Sequence, residues 1–179
     1  MKGSKKNLQE VKKSIETIDK TGKHLAIDFE KILPMPTELN ITLHTDAELI
    51  YKRDYLLIPL ANFEYKRLRE LTPEELSTMT KLAEQYHENK QKHGHISWYS
   101  WCTQNWGTKW NAIIEEEDAL RNQSANIIFF ATAWDPPIPI LNTLACRFPK
   151  VTFSLEYFSE EDETDITTIH FKVGKPPKT

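Results

Sequence analysis

The chain has 179 residues, 39% of them hydrophobic and 27% charged, with a formal net charge of -3, a balance typical of soluble globular proteins rather than disordered ones. Net acidity argues against a general nucleic-acid binder, because counterion release rewards a basic face. No apolar run reaches membrane-spanning length, and the basic start "MKGSKKNLQE" leads into no apolar stretch of a secretory signal, so the expected compartment is the cytoplasm.

Leu8, Val11, Ile15 and Ile18 recur at helical spacing and predict an amphipathic helix within residues 1–22, closed near Thr21-Gly22. "HLAIDFEKILPMP" predicts a short strand with Leu25, Ile27 and Phe29 on one face, ended by two prolines. Residues 37–71 show no clean period. "DYLLIPLANF" is apolar but broken by Pro59, and the expectation there is loop with short helical pieces. In "LTPEEL", Thr72 is an N-cap, Pro73 suits the first helical position and Glu75 completes a capping box. Leu76, Met79, Ala83 and Tyr86 then form the stripe of a helix that Gly94 ends.

"SWYSWCTQN" predicts a short helix capped by Ser97, with Trp98, Trp101, Cys102 and Asn105 on one face. "WNAIIEEE" and "SANIIFFATAW" read as two strands of a hairpin joined by "DALRNQ". "DPPIPILNTLACRFP" predicts a helix capped by Asp135, with Pro139 in its first turn and Ile140, Leu141, Leu144, Ala145 and Phe148 at helical spacing. "VTFSLEYF" and "ITTIHFKV" alternate cleanly around the acidic stretch 159–165, with Val151, Phe153, Leu155, Tyr157, Ile169, Phe171 and Val173 inward, and predict two antiparallel strands. The sum is an α+β chain: a helix within 1–22, then a single domain over 23–179 whose helices cover one face of an antiparallel sheet.

Four of the five tryptophans lie between residues 98 and 110 and the fifth is Trp134. Large aromatics either fill a small core, each burying roughly 150–250 Å², or stack on a flat ligand. Core packing is the favoured reading, with Trp110 and Trp134 largely buried beside the hairpin. The candidate binding residues, should some rings face solvent, are Trp98, Trp101, Trp106, Lys109 and Asp135. Gly107-Thr108-Lys109 lacks the long loop and following helix of a phosphate-binding loop and reads as a turn, and Lys109 can lie over an indole.

His93, His95 and Cys102 offer nitrogen and sulfur donors but no fourth ligand, so neither metal nor cofactor is expected. Cys102 and Cys146 occupy apolar helical positions and read as inert buried thiols. The acids Glu115, Glu116, Glu117 and Asp118 read as a solvated face at a turn, and no residue is assigned a catalytic role.

"NWGTKWNA" followed by "FFATAWDPPIPILNTLACRFPKVTFSLEYF" resembles the YubB ferredoxin-like family, small proteins carried by plasmids, phages and prophages. Trp106 to Ala112, Thr132 to Pro137, Phe148-Pro149 and Phe153 to Tyr157 follow the family's order, with a core at about 95–175 and weaker echoes in "EKILPMP" and "HGHISWYSW". "SEEDETD" stands where members commonly have a glycine-rich turn. The resemblance implies ferredoxin-like topology without an iron–sulfur cluster, and no settled chemistry. The expected function is a non-enzymatic accessory protein of a mobile element that binds a host or element protein. The alternative is a nucleic-acid or nucleotide-binding module using the tryptophan cluster and Lys109.

Overall fold

The structure, a computed structural model, describes residues 1–122, 124, 126–159 and 161–172. The Ser4 hydroxyl accepts the Asn7 amide and starts α1 (Lys5–Ile15), which buries Val11 and Ile15. The helix ends there rather than near Gly22, because Thr17–Ile18 (β1) pairs with His24–Leu25 (β2) in a two-residue antiparallel ladder, leaving Ile18 exposed. The strand expected through Phe29 also stops early. Asp28 accepts the Glu30 amide at 3.0 Å and caps α2 (Phe29–Ile32), so Phe29 reaches the core from a helix.

Residues 37–71 hold more helix than their irregular pattern suggests: a 3-10 turn at Thr37–Leu39, then α3 (Thr45–Asp54) and α4 (Asn62–Arg69). α5 (Pro73–His93) follows its sequence signals residue by residue. The Thr72 hydroxyl accepts the Glu75 amide at 3.3 Å, the Glu75 carboxylate accepts the Thr72 amide at 2.8 Å, and Gly94 ends the helix at φ 75°.

α6 spans Trp98–Asn105, α7 Glu116–Arg121 and α8 Ile138–Arg147, followed by β3 (Phe153–Ser159) and β4 (Asp162–Phe171). The Ser97 hydroxyl is buried without a hydrogen-bond partner and caps nothing. Among the described residues the expected hairpin at 110–134 reduces to one bridge, Ile113 and Ala131 exchanging bonds of 3.0 and 2.9 Å. The acids expected to close a strand instead form the first turn of α7, where the helix dipole favours negative charge. The strand pair β3 and β4 runs further than expected: Ser159 pairs with Asp162 past a register shift, and β4 starts at Asp162, within the acidic stretch. Val173 lies outside the described residues.

The chain packs as two compact units, one made of Met1–Pro34 and the chain from Cys102 onward, the other of Met35–Trp101. This differs from a helix at 1–22 followed by one domain at 23–179, because α1 packs on α2 inside the first unit. That unit buries Val11, Ile15, Phe29, Ile32, Trp106, Ile140, Leu144, Phe153 and Phe171 between helices and the β3–β4 ladder. The second unit is helical, α3 against α5. Its fully buried Tyr86 donates its hydroxyl to the Thr42 carbonyl at 2.9 Å and accepts the His44 amide at 3.0 Å, which satisfies the one polar group that such a ring brings inside. The fold is α+β.

Candidate functional site

The stretch from Trp106 to Ala112 alternates between residues that build and residues that face outward. Trp106 is 4% exposed, meets Phe29 edge-to-face at 5.8 Å and donates its indole N–H to the Leu33 carbonyl at 2.8 Å. Gly107 turns the chain at φ 82°. A Cβ there would stand 2.7 Å from Cδ of Pro139 and 3.1 Å from the Pro136 carbonyl oxygen, so only glycine lets this turn approach the start of α8.

Thr108 is buried and donates its hydroxyl to the Ala133 carbonyl at 2.8 Å. Asn111 accepts the Phe29 and Ala112 amides through its carbonyl, both at 2.8 Å, and donates to the Asp28 carboxylate at the same distance. Each of these four residues has a structural task.

Of the other three, Ala112 is buried, and Lys109 and Trp110 face outward. Trp110 is 50% exposed, and Trp134, on the second turn, is 76% exposed. The ammonium of Lys109 lies 4.4 Å from the Trp110 ring centroid and 4.6 Å from that of Trp134, within cation–π range of both. The expectation that both indoles are buried is therefore corrected. With the hairpin reduced to one bridge, the residues flanking it sit on turns rather than inside a sheet.

The second turn is as braced as the first. Ala133 holds the Thr108 hydroxyl, the Thr132 hydroxyl donates to the Asp135 carbonyl at 3.0 Å, and Trp134 adopts φ 75°. A bulky residue in the left-handed region stores strain, and such strain collects where a side chain must be aimed. Asp135 does not cap α8. The cap position is Pro137 without a side-chain bond, and the Asp135 side chain is exposed beside Trp134.

The other candidate residues take no part in the two cation–π contacts of Lys109. Trp101 is 7% exposed and serves as core, like Trp106, so neither offers a ring face to a ligand. Trp98 is partly buried and meets Tyr99 edge-to-face at 5.7 Å. Cys102 is buried, and desolvation, with the Glu30 charge second, pushes its thiol up to about 12, which leaves it unreactive. Cys146, expected to be buried, is exposed on α8.

His95 meets the Ser100 hydroxyl at 3.3 Å, and His93 lies 3.8 Å from the Glu38 carboxylate, which an ion pair with Lys92 holds down at about 2. Among the described residues no group of three or more histidines, cysteines, aspartates and glutamates is gathered as a metal site. Nor is any helix there long and apolar enough to cross a membrane.

In the sequence Lys109 is a candidate binding residue, whereas Trp110 and Trp134 are expected in the core and are instead exposed. The available signal was Gly107 and the Pro136-Pro137 pair, which mark turns rather than strand interiors. No curated protein and no solved structure matches the chain. Residues 106–175, which supply both turns, α8 and the β3–β4 ladder, match the family model described as the ferredoxin-like domain in Api92-like protein, and this part of the chain is similar to that domain in sequence and ferredoxin-like in fold.

Proposed function

We propose that the chain is a non-enzymatic accessory protein of a phage, prophage or plasmid, allied to the YubB ferredoxin-like family and cytoplasmic, and that it binds a protein partner through Trp110 and Trp134, the two rings beside the Lys109 ammonium. One observation carries this reading: two indoles stand in solvent on turns that buried neighbours hold in place. Exposed tryptophan on a fixed backbone suits an interface anchor, because a large ring loses little side-chain entropy on binding and such anchors are often worth 2 kcal/mol or more. The groups assembled here are rings and an ammonium, which favours recognition over acid–base chemistry.

A second reading has its own support. Two indoles flanking one ammonium also suit a nucleobase with its phosphate. The net charge of -3 and the acids at 115–118 weigh against it.

The test is a pull-down from the native host with the parent protein, Trp110→Ala and Trp134→Gly, beside anisotropy titrations with labelled oligonucleotides. The proposal expects a specific protein captured by the parent and lost from both variants, with no oligonucleotide binding tighter than about 10 μM at physiological salt. Sub-micromolar oligonucleotide binding that weakens with salt and disappears in Lys109→Glu would favour the second reading instead.

A further inference from the structure

We infer that Trp110 and Trp134 form a clamp for a cationic side chain of the protein partner, a guanidinium or a methylated ammonium, and that Lys109 is a resident stand-in which vacates the clamp on binding. This rests on the partner-binding reading above and names the group that the surface takes. The structure already seats a cation there, with one ammonium 4.4 and 4.6 Å from two ring centroids that belong to different turns. Both rings thus serve a single cation-sized space.

A lysine ammonium is compact and strongly hydrated, so it gives up much water to enter an aromatic site. A guanidinium or methylated ammonium is more weakly hydrated and gives up less. Lys109 neighbours Trp110 on a flexible stem, and rotating about its side-chain bonds carries the ammonium out to water without moving either turn.

From residue 105 to 136 the sequence has two cations, Lys109 and Arg121, against five carboxylates, Glu115, Glu116, Glu117, Asp118 and Asp135. Arg121 is engaged with Asp118 at 3.9 Å and lies over Phe129. Glu115, Glu116 and Glu117 are exposed at the start of α7, and the segments leading to the two indoles are joined by the Ile113–Ala131 bridge. Lys12, Lys23 and the N-terminal ammonium also reach this stretch, donating to the Asn122, Ile114 and Asn126 carbonyls, so the preference for a cation rests on the two rings themselves.

The opposite occupant, an anion seated on Lys109, makes the opposite prediction for removal of that lysine. The experiment follows the indole N–H resonances of the full chain while choline is added as a cationic probe, with 3,3-dimethylbutan-1-ol, its neutral isostere, in parallel. Choline should shift Trp110 and Trp134 and leave Trp106 in place, and the neutral alcohol should shift none. Lys109→Ala should bind choline roughly two- to fivefold tighter, the factor that removal of an exposed competing cation–π contact gives. Circular dichroism of that variant checks that the fold is retained.

Weaker choline binding in Lys109→Ala, or equal shifts with the neutral alcohol, would overturn the inference. Partner capture that still requires Trp134 while choline shifts nothing would leave the partner reading standing and remove the cationic clamp. Choline binding without any Trp134-dependent capture would do the reverse.

Discussion

At Gly107 and Trp134 the backbone takes left-handed angles for different reasons, and the two residues should differ in how much a substitution costs. Gly107→Ala adds a Cβ 2.7 Å from Pro139 Cδ at φ 82°, and should cost roughly 1–3 kcal/mol in urea unfolding. Trp134→Gly removes an exposed ring from φ 75°. Relief of that strain is worth roughly 1 kcal/mol, so stability should stay within about 1 kcal/mol of the parent. Trp106→Ala, which empties a packed site, should cost roughly 3–5 kcal/mol. Equal losses for Trp106→Ala and Trp134→Gly would mean that Trp134 is structural. None of this difference can be read from the letters W-G-T-K-W-N-A. Glycine announces a turn, but which of two tryptophans beside it turns inward depends on where Phe29 and Leu33, about 75 residues earlier in the chain, come to rest.

Among the elements, legibility followed how local the determining interaction is. α5 was readable because Thr72, Pro73, Glu75 and Gly94 fix its ends through bonds between near neighbours. α8 was readable because its apolar stripe buries Ile140, Leu141, Leu144 and Ala145 at helical spacing, although its cap was misassigned to Asp135. The segments around 113 and 131 were misread because an apolar run does not by itself distinguish a strand from an extended stretch docked on a core. α7 was misread because three carboxylates beside two isoleucines look like the end of a strand until their place in the first helical turn is seen. Thr72→Ala should lower stability by about 1 kcal/mol, measured as a shift in the urea midpoint at unchanged slope. An unchanged midpoint would show that tertiary contacts alone set the start of α5.

Across the whole molecule, the sequence indicates the α+β class and a ferredoxin-like C-terminal part, whereas the grouping of residues 1–34 with the chain from 102 onward depends on contacts far apart in sequence. The net charge of -3 weighs against a general nucleic-acid binder. At the surface made by Lys109, Trp110 and Trp134, large apolar side chains are held outward by buried neighbours. Its most direct measurement is a titration of the captured partner into the protein while the five indole N–H resonances are followed, each assigned by single tryptophan substitution. The account predicts that Trp110 and Trp134 shift or broaden as the complex forms while Trp101 and Trp106 stay in place. Saturable binding that leaves Trp110 and Trp134 unmoved would contradict it.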